Sequence, residues 1–111
     1  MIANKPSIFI YVNDPDRIYM EEICAGIEEE GVLYTVIKRE ETNASRLAYE
    51  AANDSMLGSG LGICGSQVVM QMKGLVQGDD VFSLTRPDKE QCRAIGANSA
   101  RAIKKLPFKI I

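Results

Sequence analysis

Two apolar runs in this chain, Leu61 to Cys64 and Val68 to Met72, are separated only by Gly65-Ser66-Gln67. A gap that short allows a hairpin and nothing longer, so the two segments must pair antiparallel. The chain before them reads differently. Ser7 to Val12 (Ser-Ile-Phe-Ile-Tyr-Val) is a β-branched and aromatic run, as is Val32 to Lys38. Between them Met20, Ile23, Cys24 and Ile27 recur at helical spacing as far as about Glu30, and Gly31 is a stop. Asp14 is expected to cap this helix, with Pro15 in its first turn and Asp16 complementing its positive end. A second helix is expected over Ala44 to Asp54, capped by Thr42 or Asn43, with a face of Leu47, Ala48, Ala51 and Ala52 small enough for close packing on a sheet. A fifth strand is expected over Val81 to Leu84. Asp88 and Gln91 form a capping-box pair that opens a last helix lined by Cys92, Ile95, Ser99, Ala102, Ile103 and Leu106 and ended by Pro107.

The order is β-α-β-α-β-β-β-α. Strand–helix–strand units require right-handed crossovers and parallel pairing, and the hairpin turns one strand round. The expected fold is a three-layer α/β/α arrangement with a mixed five-stranded sheet, one strand antiparallel, and residues 1–111 forming a single domain.

Composition narrows the chemistry. There is no histidine and no tryptophan. Without histidine, the serine–histidine and cysteine–histidine nucleophile systems are excluded, as are most zinc sites. Cys24, Cys64 and Cys92 are odd in number, far apart and in apolar settings, which reads as reduced, buried thiols of a cytosolic protein. Net charge is −2 with scattered basic residues, against a nucleic-acid partner. No apolar run is long enough for a membrane span, and no basic-then-apolar leader marks a signal peptide.

Glu28, Glu29 and Glu30 close the first helix, at the end where the helix dipole disfavours negative charge. Taken alone, the corner reads first as a solvated acidic helix end. With no compensation visible in the sequence, the other reading is that a cation meets it: a metal ion, or a basic partner surface. Three other features read as structure first. Gly60-Leu61-Gly62-Ile63-Cys64-Gly65 matches G-x-G-x-x-G, but it follows a helix and merges into a strand, the reverse of a dinucleotide site. Its glycines are expected to mark close backbone packing. Asp79-Asp80 beside Gly78 reads as a solvated turn rather than a metal pair. Arg101, Lys104 and Lys105 complement the dipole of the last helix before they suggest a phosphate or partner patch. Phe108, Ile110 and Ile111 form an apolar tail that either tucks onto the sheet or joins an interface.

Gly26-Ile27-Glu28-Glu29-Glu30-Gly31 resembles the G-I-E-E-E-G signature of the small subunits of reactivating factors for cobalamin-dependent diol and glycerol dehydratases. Arg93-Ala94-Ile95-Gly96-Ala97-Asn98-Ser99-Ala100-Arg101, then Lys104-Lys105-Leu106-Pro107-Phe108-Lys109, is similar to that family's R-A-x-G-x-N-A-A-R and V-K-G-x-P-F. Ser99 stands where the family has alanine and Lys105 where it has glycine; the strand from Gln67 to Lys73 lacks the family's histidine.

The resemblance implies an anticodon-binding-domain-like fold and a non-catalytic, chaperone-like role. The small subunit would pair with a large ATPase subunit, in an assembly of two large and two small subunits. It would exchange for a structurally similar dehydratase subunit, contacting the dehydratase large subunit, so that damaged cobalamin leaves. By position, Glu29 would reach a divalent cation (Mg or Ca) held by the large subunit, with Glu28 and Glu30 at the same interface. The chain would carry no cofactor of its own, ATP or ADP belonging to the large subunit. Its place would be the cytoplasm of a propanediol-utilising cell, with a bacterial microcompartment open. The alternatives are a structural subunit of the dehydratase itself and a stand-alone nucleotide-binding α/β domain.

Overall fold

The computed structural model describes residues 5–111. Its elements are β1 (Ile8–Pro15), α1 (Arg17–Glu29), β2 (Tyr34–Lys38), α2 (Ala44–Asp54), β3 (Ser59–Gly65), β4 (Gln67–Met72), β5 (Phe82–Thr85) and α3 (Lys89–Lys104). The sheet order is β2-β1-β3-β4-β5. β1 pairs in parallel with β2 and β3, and β4 runs antiparallel to both β3 and β5, so β4 is the one reversed strand. The arrangement is the mixed α/β/α layering that the spacing predicts.

The start of α1 differs from expectation. β1 continues through Asn13 and Asp14 to Pro15, with a register shift against β3 between Asn13 and Pro15. Asp14 takes φ 46°, and the cap is Asp16, which accepts from the Ile18 and Tyr19 amides at 2.9 and 3.2 Å. An Asp-Pro-Asp sequence offers two caps, and pairing with β3 carries the strand past the first of them. On α2 the structure selects Asn43 from the two expected caps, and α3 opens on the reciprocal Asp88–Gln91 box as expected.

The two faces of the sheet pack by different means. On one, α1 and α3 cover an aliphatic core of Ile8, Ile10, Val12, Ile23, Ile27, Leu61, Ile63, Val68, Met70 and Ile95. On the other, α2 lies close against β3 through its alanines. A Cβ on Gly60 would strike the backbone of Ala51 and Ala52, and one on Gly62 would strike Ala44 and Ala48. The glycine run is therefore a packing device. A third close approach joins the helices: a Cβ on Gly26 of α1 would overlap Arg93 and Ala97 of α3, and one on Gly96 would overlap Ile23 of α1. Two glycines facing each other let the backbones touch, and this contact fixes which residues of α1 and α3 meet.

Details of the thiols, the turn and the tail refine the reading. Cys92 is buried, while Cys24 and Cys64 are half-buried. Asp80 is more than a solvated turn residue: the Ser45 hydroxyl of α2 donates to both its carboxylate oxygens, at 2.9 and 3.0 Å. Leu106 lies past the end of α3 and is exposed rather than on its inner face. The tail is ordered. The Asn98 amide donates to the Lys109 carbonyl at 3.0 Å and its oxygen accepts from the Lys109 N–H at 2.7 Å, Phe108 packs edge-on against Phe82, and Ile111 joins the core. Ile110 is the most exposed apolar residue of the tail, at 97%.

Candidate functional site at the joined ends of α1 and α3

All the parallel strands run one way and the helices run back, so α1, α2 and α3 end at the edge of the sheet where those strands begin. The Glu28–Glu30 corner lies there. Because Gly26 and Gly96 bring the helices together, the basic residues of α3 face the glutamates of α1.

This overturns one expectation. Two of the three glutamates, Glu29 and Glu30, do have partners within the chain, supplied from a segment about seventy residues away. Arg101 Nε donates to Glu30 at 3.1 Å, and Lys104 Nζ lies 3.5 Å from the other Glu30 oxygen and also donates to the Glu30 carbonyl. Arg93 bridges Glu22 and Glu29: its Nη2 is 2.9 Å from Glu22, and its Nη1 donates to Glu29 at 3.0 Å. Arg101 and Lys104 therefore serve two ends at once, the dipole of α3 and the charge that α1 leaves uncompensated. The Glu30–Lys104 carbonyl contact also satisfies one of the orphan acceptors at the end of α1.

The three glutamates divide by burial. The Glu30 side chain is only 10% exposed. Burial alone would push its carboxyl up, but the hydrogen bond and charge of Arg101, with those of Lys104, outweigh it and hold the group below the ordinary carboxylate range. Glu30 is an internal strut. Glu29 is half exposed and gives one oxygen, Oε2, to Arg93. The Glu22 hydrogen bond pushes the Arg93 guanidinium upward, so it stays charged. Glu28 is exposed and makes no salt bridge among the described residues. Its charge helps to raise the Cys24 thiol, after burial and against a hydrogen bond from Tyr34. Cys24 thus stays protonated at neutral pH.

The donor set fits a shared cation and not a self-contained one. Among the described residues no three His, Cys, Asp or Glu groups come together as a metal cage. Glu29 Oε1, without a salt bridge among the described residues, is a single carboxylate oxygen, at the low end of the one or two that magnesium commonly takes from one surface. Glu22 and Arg93, neither of which was expected at this corner, complete the arrangement. Their signal was present as Glu22 at helical spacing from Glu29 on one face of α1, and as Arg93 in the R-A-x-G motif.

Residues 5–109 match the family model described as dehydratase medium subunit. The chain belongs to that family. Its relatives are more specific. Over 105 residues, 94% of this chain and 90% of the relative, it is 31% identical to the propanediol dehydratase-reactivating factor small subunit of Citrobacter freundii. It is 30% identical over the same length to the diol dehydratase-reactivating factor small subunit of Klebsiella michiganensis, covering 84% of that protein. A solved diol dehydratase-reactivating factor, complexed with ADP and Mg2+, contains a chain that superimposes with a TM-score of 0.88 at 31% identity, covering 96% of this chain and all of that one. A glycerol dehydratase reactivase shares the fold, with a TM-score of 0.88 at 23% identity. Within the family, then, the chain sits with the reactivating-factor small subunits. The two motifs that carry the likeness are one physical unit. Gly26 and Gly96 make the helix contact, Arg93 and Arg101 bind the glutamates, and Asn98 ties down the tail. No helix among the described residues is long and apolar enough to cross a membrane.

Proposed function

We propose that this chain is the exchangeable, non-catalytic partner in a reactivating factor for a cobalamin-dependent diol or glycerol dehydratase. It would bind a large ATPase subunit, two of each forming the assembly, and move to the dehydratase large subunit when damaged cobalamin must be released. Glu29 would supply one oxygen to a divalent cation, Mg or Ca, held mainly by the large subunit. The chain would act as one domain in the cytoplasm, with or without a microcompartment around it.

The observation that carries this reading is the unequal treatment of the glutamates. α3 neutralises Glu30 and pairs one oxygen of Glu29, and leaves Glu28 and Glu29 Oε1 without a salt bridge among the described residues. A corner that needed only to be solvated would not require a fixed carboxylate. Arg93 removes rotamer freedom from Glu29 before any partner arrives, and side-chain ordering is a standing cost of association.

The test is assembly. The purified chain is titrated with the reactivating-factor large subunit, with and without divalent cation. Glu29→Gln should weaken the complex strongly while the melting curve of the lone chain shifts little. Equal affinity of Glu29→Gln and the parent chain would remove the cation role. Stable binding to dehydratase subunits and none to the large ATPase subunit would instead make the chain a structural subunit of the dehydratase. In the exchange reading, the large subunit and the dehydratase compete for one molecule, and a stable ternary complex would rule exchange out.

A further inference from the structure

We infer that the outer edge of β2 pairs antiparallel with the β2 edge of a second copy of the chain, joining two sheets across a two-fold axis at Val36, with Lys38 of each copy set against Glu28 of the other. Such a dimer is a state of the chain before it meets any other subunit, and it does not depend on the partner reading above. Leu33 O accepts from Ile8 N–H and Arg39 N–H donates to Val12 O, each at 2.9 Å. The odd-numbered residues of this segment therefore turn their backbone to β1. By alternation Tyr34, Val36 and Lys38 turn theirs outward, where no strand among the described residues pairs with them.

The two edges of the sheet are treated differently. β5 has four residues, Arg86-Pro87 follows it, and Phe108 of the tail packs on Phe82. A short strand, a charge, a proline and a covering segment are ordinary ways of closing an edge. β2 lacks most of them. Val32 to Lys38 contains no proline or glycine, its register with β1 is unbroken from Tyr34 to Lys38, and its one charge is Lys38 at the far end. Ile37 belongs to the cluster on the α2 face, yet α2 packs on β1, β3 and β4, so that face of β2 stays partly open. Val36, at the middle of the strand, is 36% exposed. A regular, uncovered, β-branched edge is a template for another strand.

Register and charge make a second copy the strand that fits. The three outward residues, centred on Val36, are their own complement: antiparallel pairing sets Val36 opposite the copy's Val36, and Tyr34 opposite the copy's Lys38. Each facing pair exchanges two hydrogen bonds, about six in all. Tyr34 packs into the core under α1 and α3, and strand side chains alternate, so Tyr34 and Lys38 leave the sheet on that same face. There Tyr34 lines a recess of about 310 Å³ with Met20, Glu21, Cys24 and Glu28. Glu21 is engaged with Arg17 at 3.5 Å, whereas neither Glu28 nor Lys38 has a salt bridge among the described residues. The copy's Lys38, its Cα about 5.5 Å from that of Tyr34, therefore arrives beside an unspent carboxylate, and the two-fold repeats the contact. The pairing closes on itself, because the same edge is used by both copies and only the guarded β5 edges remain.

Sedimentation of the purified chain over a concentration series should show a monomer–dimer equilibrium. As the dimer fills, the amides of Tyr34, Val36 and Lys38 should gain protection from hydrogen exchange, while those of Thr35 and Ile37, already turned to β1, should change little. Val36→Pro removes one outward donor from each copy without touching the β1 ladder, and should weaken the dimer roughly ten- to hundredfold. Lys38→Glu should weaken it roughly tenfold at low salt and less at high salt, and adding Glu28→Lys to it should restore pairing. Lys73→Glu, the same change at an exposed lysine just past β4, should pair as the parent chain does. If Val36→Pro loses the parent far-UV spectrum, the charge swap and the alternating amide pattern decide. A parent chain that stays monomeric throughout overturns the inference, as does a dimer whose protected amides lie outside β2 or one that the folded Val36→Pro chain forms equally well. Protection of the β2 amides only on adding a different protein would give the edge to a foreign strand, and would overturn it too.

Discussion

Helix α1 ends on the residue type that a helix C-terminus favours and with the charge it disfavours; α3 does the reverse. Gly31 takes φ 74° after α1, a left-handed conformation that glycine adopts freely, but Glu28, Glu29 and Glu30 precede it. α3 ends with Arg101 and Lys104 in its last turn, as the dipole favours, but its left-handed position is filled by Lys105 at φ 58°. Each end is defective alone. Placed together they correct the electrostatic fault, because the cations of one neutralise the anions of the other. The backbone fault at Lys105 has no such remedy. A local rule applied along the sequence finds both violations and cannot tell which one a tertiary contact removes.

Separating the two ends should have the largest effect. Gly96→Ala places a Cβ against the Ile23 backbone of α1, which cannot rotate aside. The helix interior itself would prefer alanine by about 1 kcal/mol. Overpacking should override that preference and cost about 3 kcal/mol. For a chain of this length the melting temperature should fall by roughly 12 °C. A melt that rises instead would mean that α1 and α3 are not in backbone contact.

Removing the strut comes next. Glu30→Gln leaves Arg101 and Lys104 without their anion in a partly buried site. The cost should be about 1–2 kcal/mol, between that of exposed and buried ion pairs. The pH dependence identifies the cause. Glu30 is held below its ordinary value of 4.5 in the folded chain. Its contribution is therefore complete above that pH and disappears as pH falls through the lower folded value. Urea midpoints of the parent chain and Glu30→Gln should differ at neutral pH and converge in acid. A constant gap would assign the loss to packing.

The backbone fault can be repaired directly. Lys105→Gly should stabilise the isolated chain by about 0.5–1 kcal/mol, since an L side chain at positive φ carries a penalty that glycine lacks. Leu106 N–H already donates to the Arg101 carbonyl at 2.9 Å and Lys105 N–H to that of Ala102 at 3.3 Å, so the closing motif is formed and only the strain remains. Unchanged stability would place the compensation in the lysine's own contacts.

These cases show what the sequence made legible. The hairpin gap, the strand runs and the caps Asn43 and Asp88 are local, and the sheet follows from them. The division of labour among Glu28, Glu29 and Glu30 is not local. It depends on Gly26 meeting Gly96, and periodicity in either helix alone says nothing about the rotation at which they touch. Asp16 displaced Asp14 as the cap for a related reason, because pairing with β3 is a long-range contact. The pairing of Glu22 with Arg93 escaped notice because each looks like an ordinary solvated charge until the other is beside it.

Glu28 should give the smallest effect and the sharpest control. It is the one member of the trio for which the local rule should hold unmodified, being exposed and without a salt bridge among the described residues. Glu28→Gln removes a negative charge from the wrong end of a helix and relieves repulsion with Glu29. The isolated chain should gain about 0.3 kcal/mol, the low end of dipole effects at an exposed site, and the gain should shrink as salt is raised. Glu29→Gln should behave differently, since it also breaks the Arg93 contact at 3.0 Å. Its dipole gain is opposed by the lost pair, so its melt should lie below that of Glu28→Gln. Measuring the two side by side at low and high salt separates the local field from the tertiary contact. If both variants gain equally, Arg93 does not hold Glu29 in solution, and the fixed carboxylate on which the proposed interface depends is lost with it.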